Sequence, residues 1–265
     1  MEPSDFWSPF ETTISTFDEL VTVINTVMGK SAKKGVQFAW RGQVDANWSL
    51  YSSLYRRLVL TKGKILDEDD LAPEENTIMA DLHRWGLHSP PQYGRLSYLN
   101  QLAMLQHYGA PTRLIDITFN AWVGVWFAVE KKWSNGVEVF ADQDSRLFAI
   151  DISDRLINEH DKYRSWEDDL HRPWKNDTIA KNVWTTSVFA WKPPNLNARI
   201  FAQNGGFLFG GVVATTKADG KPYQIPKAPK GGGNWKIGEV RSSTCLALRP
   251  HVFEPEKGGV GSGAF

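Results

Sequence analysis

The sequence predicts an α+β fold, and three observations lead there. Helical patterns crowd the first half of the chain and strand patterns the second, unlike an alternating βαβ order. There is no internal repeat and no second hydrophobic core. One segment, Ala121 to Val129, is apolar almost all round, as expected of a helix at the centre of a single core. The expected organisation is one domain over residues 1–265. Its core spans about 36–250, with an irregular, polar insertion at 154–185 and a glycine-rich, frayed tail at 257–265.

The elements follow in order. Thr16 with Glu19 forms a capping box, and Phe17, Leu20, Val21, Ile24, Val27 and Met28 then lie on one helical face, ended by Gly29 and the Lys33-Lys34-Gly35 turn. Val36–Arg41 reads as a strand and Leu50–Leu60 as partly helical. Thr61–Glu75 is charged and holds Pro73, so it reads as a loop, followed by a helix from about Thr77 to His88. Leu96–Tyr108 is a helix with Gly109 at its end, and Pro111 forbids continuation. Asn120 can cap the apolar helix, expected to run to about Trp133, and Asn135-Gly136 makes a turn between β-type segments. Later strand candidates are Arg146–Ile152, Ala198–Phe201, Gly206–Val213, Tyr223–Ile225 and Thr244–Leu248.

Composition excludes several classes. Thirty basic and thirty acidic residues cancel among 265, which counts against gripping long duplex DNA by bulk charge. The lone Cys245 rules out an intrachain disulfide and suits a reducing cytoplasm, and no Cys/His spacing suggests a metal site. The acidic start is no secretory signal, and the longest apolar run is too short to cross a bilayer, so no membrane association is expected. Twelve tryptophans are the anomaly; they fill a core or form a stacking surface.

Three polar clusters carry the candidate chemistry. The first is Phe38-Ala39-Trp40-Arg41-Gly42-Gln43. A guanidinium in an apolar strand is costly to desolvate unless it meets an anion, either a neighbouring carboxylate or a bound phosphate. Gly42 lets backbone or ligand approach closely. The second runs from Gln106 through His107, Tyr108, Thr112, Arg113 and Asp116 to Thr118, with Asn120 beyond. Arg113 and Asp116 can satisfy each other while Thr118 or Asn120 caps the next helix; alternatively His107, Tyr108, Arg113 or Asp116, Thr118 and Asn120 wall a site. In the third, Gln203 precedes an Asn-Gly-Gly turn. It either bonds to the turn backbone or presents its amide to a sugar or base.

These three blocks resemble those of the FRG domain family, over about Val36 to Phe209. Its signature is an aromatic-Arg-Gly motif followed by a His-Tyr-Gly-x-Pro-Thr-Arg-Leu-x-Asp string, here His107 to Asp116. The order of parts is also similar to the ADP-ribosyltransferase fold, which implies split antiparallel sheets with flanking helices. That resemblance implies that Trp40, Arg41, Gly42 and Gln43 meet NAD as substrate, with Arg41 on its pyrophosphate or nicotinamide ribose. It places His107, Tyr108, Thr112, Arg113, Thr118 and Asn120 around the nicotinamide–ribose pocket and Gln203 at the ribose hydroxyls. The fold normally carries a late carboxylate where this chain has Gln203; Asp116 or Glu239 would then supply the charge. Arg41, Asp116 and Gln203 form the implied catalytic set, without a metal.

The resemblance implies an intracellular toxin or antiphage effector that ADP-ribosylates a protein or RNA acceptor, and an antitoxin or chaperone as a possible partner. The alternative is a non-catalytic module reading a nucleotide, single-stranded RNA or a glycan. A metal-dependent hydrolase using His107 and Asp116 is disfavoured because the chain lacks clustered carboxylates.

Overall fold

The computed structural model describes residues 11–63, 66–140, 143–160, 162–175, 179–194, 202–212 and 242–248. Strand β1 (Glu11–Ile14) leads into α1 (Phe17–Lys34). The Thr16 hydroxyl accepts from the Glu19 amide at 3.2 Å while the Glu19 carboxylate accepts from the Ser15 and Thr16 amides, so both halves of the expected capping box form. The helix passes Gly29 and stops at Gly35, whose φ of 65° requires no Cβ. Leu20, Ile24 and Val27 are buried, whereas Phe17 and Met28 at the stripe's ends stay exposed.

Strand β2 (Phe38–Gln43) is followed by α2 (Ser53–Lys62) and α3 (Glu68–Arg84). The loop expected up to Glu75 is corrected here: α3 begins at Asp67, which with Asp70 makes a second capping box, and it carries Pro73 in its second turn. Burial of Leu71, Met79 and Leu82 on one face outweighs the hydrogen bond that proline removes. Helix α4 (Tyr98–His107) is capped by Ser97, and Gly109 at φ 81° turns the chain toward β3 (Ile115–Thr118).

Helix α5 (Ala121–Val129) is capped by the Asn120 side chain, which accepts from the Trp122 amide at 2.9 Å. It ends four residues sooner than expected. The Asn135-Gly136 turn, both residues at positive φ, recruits Lys132–Ser134 into a hairpin of β4 (Lys132–Ser134) and β5 (Val137–Val139). Nor is α5 enclosed all round: Ala121, Gly124, Val125 and Ala128 face the sheet, while Trp122 and Trp126 are exposed.

Strand β6 (Ser145–Asp151) precedes the segment expected to be an irregular insertion. Three 3-10 turns and α6 (Lys181–Trp184) occupy it, but it is no appendage. Trp166, Trp174 and Trp184 are buried against Phe189 and Phe209, with the Trp174 and Trp184 rings stacked at 4.4 Å. Half of the ten described tryptophans therefore build core and not a binding surface. Strands β7 (Val188–Trp191), β8 (Gly205–Gly210) and β9 (Ser242–Leu248) complete the fold; β1 and β7 had no expectation. The strands expected at 198–201 and 223–225, the tail at 257–265 and Glu239 lie outside the described residues.

One seven-stranded sheet runs β1-β9-β6-β2-β3-β8-β7, antiparallel except for the β1–β9 pair, so the expected α+β class holds. Its ladder is uneven. Strand β2 pairs with β6 from Phe38 opposite Asp151 to Gln43 opposite Arg146, but meets β3 only where Trp40 faces Thr118. The sheet thus divides into a four-stranded and a three-stranded half hinged at that pair. Helices α1 and α5 cover the first half through Leu20, Ile24, Val125 and Trp40, and α3 and α4 cover the second through Met79, Leu99, Leu102 and Phe207.

Candidate functional site

The two halves part immediately beyond the Trp40–Thr118 pair, and Arg41 stands at the opening. Its Nη1 donates to the main-chain oxygen of Asp116 at 2.6 Å, so a side chain spans the gap where a strand ladder would otherwise run. Its Nε is buried without a hydrogen-bond partner, and among the described residues no carboxylate lies within ion-pair distance. Burial pushes the guanidinium pKa below its ordinary value; the Asp116 carboxylate opposes this and the Arg56 cation adds to it. An arginine stays charged through such a shift, so the site holds a partly buried cation facing a cleft.

A cavity of about 350 Å³ opens there, within the size range of small-molecule sites. It gathers Arg41 and Gln43 from β2, Gln106 and His107 from the end of α4, Asp116 and Thr118 from β3, and Gln203 from the turn before β8. Trp48, Phe127 and Phe207 give it apolar walls. Gln43 is 4% exposed, its Nε2 donates to the Ser49 carbonyl at 3.4 Å, and its Oε1 has no partner. A buried donor on Arg41 and a buried acceptor on Gln43 are thus both unspent on the walls of one cavity. Buried polar groups are rarely left so, and the Nε1 atoms of Trp166, Trp174 and Trp184 in the core share that condition.

Asp116 is held by a chain of amide and hydroxyl. The Thr112 hydroxyl accepts from the Leu114 amide at 3.2 Å and donates in a short bond to Gln106 Oε1; Gln106 Nε2 then donates to Asp116 Oδ1 at 2.8 Å. The Thr118 hydroxyl donates to the Gln203 carbonyl at 2.7 Å and accepts from the Asn120 amide at 3.1 Å. It therefore fixes the turn that presents Gln203, and Asn204 there takes a φ of 45°.

Of the remaining candidates, Trp40 and Gly42 edge the cavity and the others lie elsewhere. Arg113 is corrected most sharply: it neither pairs with Asp116 nor lines the cavity. Its Nε donates to Glu75 Oε1 at 2.6 Å and its Nη2 to Glu68 Oε1 at 3.1 Å, and it lies 4.9 Å from the Trp174 ring. Burial alone would lower its pKa, and the Glu75 and Glu68 carboxylates more than reverse that. Trp40 edges the cavity, but its side chain is 1% exposed and packs among Phe38, Val125 and Leu147. A Cβ on Gly42 would fall on the Gly124 carbonyl oxygen and the Ala128 nitrogen, so the close approach that this glycine permits is that of α5. Thr112 is fully buried, Asn120 is a helix cap, and Tyr108 projects into solvent beside the His107 ring.

Several wall residues were missed. Gln106 opens the polar run but carries no sign of its partner ten residues on. Arg56 lies on a helix whose pattern looks solvated, yet it lines both this cavity and a second cleft of about 150 Å³. Trp48 and Phe127 read as ordinary apolar residues. Among the described residues no group of three or more His, Cys, Asp and Glu side chains could hold a metal ion, and no helix is long and apolar enough to cross a membrane.

No curated protein and no solved structure gives a match to the chain. A family model does. Its match runs from the start of β2 to the β4–β5 turn, so it takes in Arg41, Arg56, Gln106, His107, Asp116 and Thr118 and stops short of Gln203. Residues 36–136 match the model described as FRG domain.

Proposed function

We propose that the cleft binds NAD and that the protein transfers its ADP-ribose to a macromolecular acceptor, protein or RNA. The observation that carries this reading is Arg41, a half-buried guanidinium with no carboxylate in ion-pair reach among the described residues, at the mouth of a cavity that also collects Asp116, Thr118 and Gln203. A phosphate seated at the cleft mouth can offset the guanidinium charge. The C1′–N bond between ribose and nicotinamide breaks with its electron pair leaving on nicotinamide, so positive charge builds on the ribose ring. A carboxylate aimed there is worth most in a partly dry cleft. Asp116 has that charge, and Gln106 occupies only its Oδ1. The acceptor atom then bonds to C1′ and gives its proton to water. Gln203 hydrogen-bonds the ribose hydroxyls, and orientation of the dinucleotide supplies the rest of the rate. A role as a cytoplasmic toxin or antiphage effector, restrained by an antitoxin or chaperone, belongs to the same reading.

Two observations favour a second reading, a nucleotide-binding module without chemistry: the position before β8 holds an amide, Gln203, and Asp116 is already engaged by Gln106. Incubation with NAD separates the two. Released nicotinamide, together with a mass gain of one ADP-ribose on protein or RNA that Arg41→Ala abolishes, supports transfer. Tight ADP-ribose binding with no nicotinamide release leaves only the binding module, and no binding at millimolar NAD removes both.

A further inference from the structure

The cavity does not end at Arg41. A second cleft of about 150 Å³ adjoins it, edged by Tyr51, Ser53, Gly109 and Ala110, and the two share four wall residues: Arg41, Arg56, Gln106 and Asp116. Two cations and one carboxylate therefore stand on the partition between two compartments. Arg41 bonds to a main-chain oxygen rather than to a carboxylate, and no ion pair engages Arg56 among the described residues. Like charges facing one cleft repel, and Arg56 already lowers the affinity of Arg41 for its proton. Such a pair is stabilised by an anion seated between its members, and a multiply charged one fits best.

We propose that Arg56 is the second arm of a diphosphate clamp, so that the ligand places a diphosphate on the partition and one terminal group in each compartment. This rests on the reading of the cleft as a dinucleotide site and narrows it: a mononucleotide or a neutral glycan fills one compartment and leaves a cation unpaired. The unequal volumes assign the bulkier end to the chamber walled by Trp48, Phe127 and Phe207, and the smaller end to the chamber beside Tyr51.

The test is calorimetric titration of the full chain with ADP-ribose, NAD, AMP and UDP-glucose, on wild type, Arg56→Ala, Arg56→Lys and the control Arg57→Ala. Arg57 is exposed and lines neither compartment. A charge-assisted contact predicts that Arg56→Ala weakens ADP-ribose by about tenfold or more and AMP by less than about threefold. Arg56→Lys should recover part of the loss, and Arg57→Ala should bind like wild type. ADP-ribose binding that stays within about twofold of wild type in Arg56→Ala, or an equal loss of AMP and ADP-ribose, overturns the clamp. If UDP-glucose binds in an Arg56-dependent way while NAD and ADP-ribose do not, the diphosphate seat stands and the NAD reading falls. If no diphosphate binds wild type, both fall.

Discussion

The guanidinium of Arg41 hydrogen-bonds to the main-chain oxygen of Asp116 at 2.6 Å, just beyond the single residue pair through which β2 meets β3. The bond ties the two half-sheets together and at the same time leaves Nε buried without a partner. A structural role and the proposed ligand-binding role therefore fall on one side chain and can be separated by substitution. Arg41→Ala should weaken ADP-ribose binding by about 10–100-fold, the worth of a charge-assisted hydrogen bond. Arg41→Lys should fall between, since an ammonium keeps the charge but cannot donate to the carbonyl and a phosphate in the same fork. Calorimetry with a circular-dichroism check of folding measures this; an affinity for the alanine variant equal to wild type would show that the residue only closes the sheet.

Gly42 packs a helix, and its substitution should read out as stability. A methyl group there would strike the Gly124 carbonyl and the Ala128 nitrogen, backbone atoms of α5 that cannot move independently, with the Phe127 carbonyl carbon at 2.9 Å. A Cβ at Gly124 instead meets the Trp40 Cβ at 2.9 Å and the movable Leu147 Cδ1 at 3.1 Å. Gly42→Ala should cost about 1–3 kcal/mol or more and exceed the cost of Gly124→Ala. Urea unfolding midpoints decide it, and the reverse ranking would contradict the packing.

How much of this was legible in the sequence depends on the range of the interaction. Thr16 with Glu19, Gly109 and Asn120 are local signals, and each fixes the helix end it announces. Pro73 misled because the apolar spacing of Leu71, Met79 and Leu82 reaches across it, so tertiary burial overrode a local breaker. Polarity suggested a loose insertion at 154–185, yet its widely spaced tryptophans pack together only once β7 and β8 lie beneath them. The site divides the same way. Arg41, Asp116, Thr118 and Gln203 stood out by type and do line one cavity. The partners of Arg113, Glu68 and Glu75, lie 45 and 38 residues away on a helix read as partly loop, so nothing local could reassign it.

Arg113 should behave as a keystone of the fold. With Glu75, Glu68, Tyr98 and Arg172 it makes a buried charged network, Arg172 Nε donating to the Tyr98 hydroxyl at 3.1 Å. Replacing one partner leaves uncompensated charge in a dry interior, so Arg113→Met should cost about 3–5 kcal/mol. Ligand affinity per folded molecule should be unchanged, because the side chain does not reach the cavity. Denaturant unfolding and titration of the folded fraction test the two halves of the claim; an affinity loss without a stability loss would return Arg113 to the site.

Glu167 gives the chain a pH-dependent stability. Burial raises its pKa, the hydrogen bond from Trp191 Nε1 opposes this, and Asp168 adds to the rise. An acid whose folded pKa exceeds its unfolded value binds its proton more readily when folded. Its contribution is thus present at acid pH and lost as pH rises through the folded pKa. Glu167→Gln keeps an oxygen to accept from Asn158 and Trp191 while removing the charge. The variant should match wild type near pH 4 and unfold at a higher temperature at pH 7, a difference that melting curves across that range would show. Partial exposure keeps the effect small.

The last expectation concerns the chain Thr112–Gln106–Asp116, whose members act through one another. Gln106 donates to Asp116 Oδ1 and is itself oriented by the Thr112 hydroxyl, which the Leu114 amide anchors. Neither residue has to touch the ribose to matter, because a carboxylate free to rotate loses its aim at developing charge. Gln106→Leu should therefore lower kcat by about tenfold and leave KM within about twofold, the signature of an interaction used in the transition state. Thr112→Val should lower kcat in the same direction by less. The double variant should be no worse than Gln106→Leu alone, since contacts in one network do not add. Steady-state nicotinamide release by the four proteins tests this. Additive losses would mean that the two residues act separately, and a rise in KM alone would make Gln106 a binding group instead of the support of Asp116.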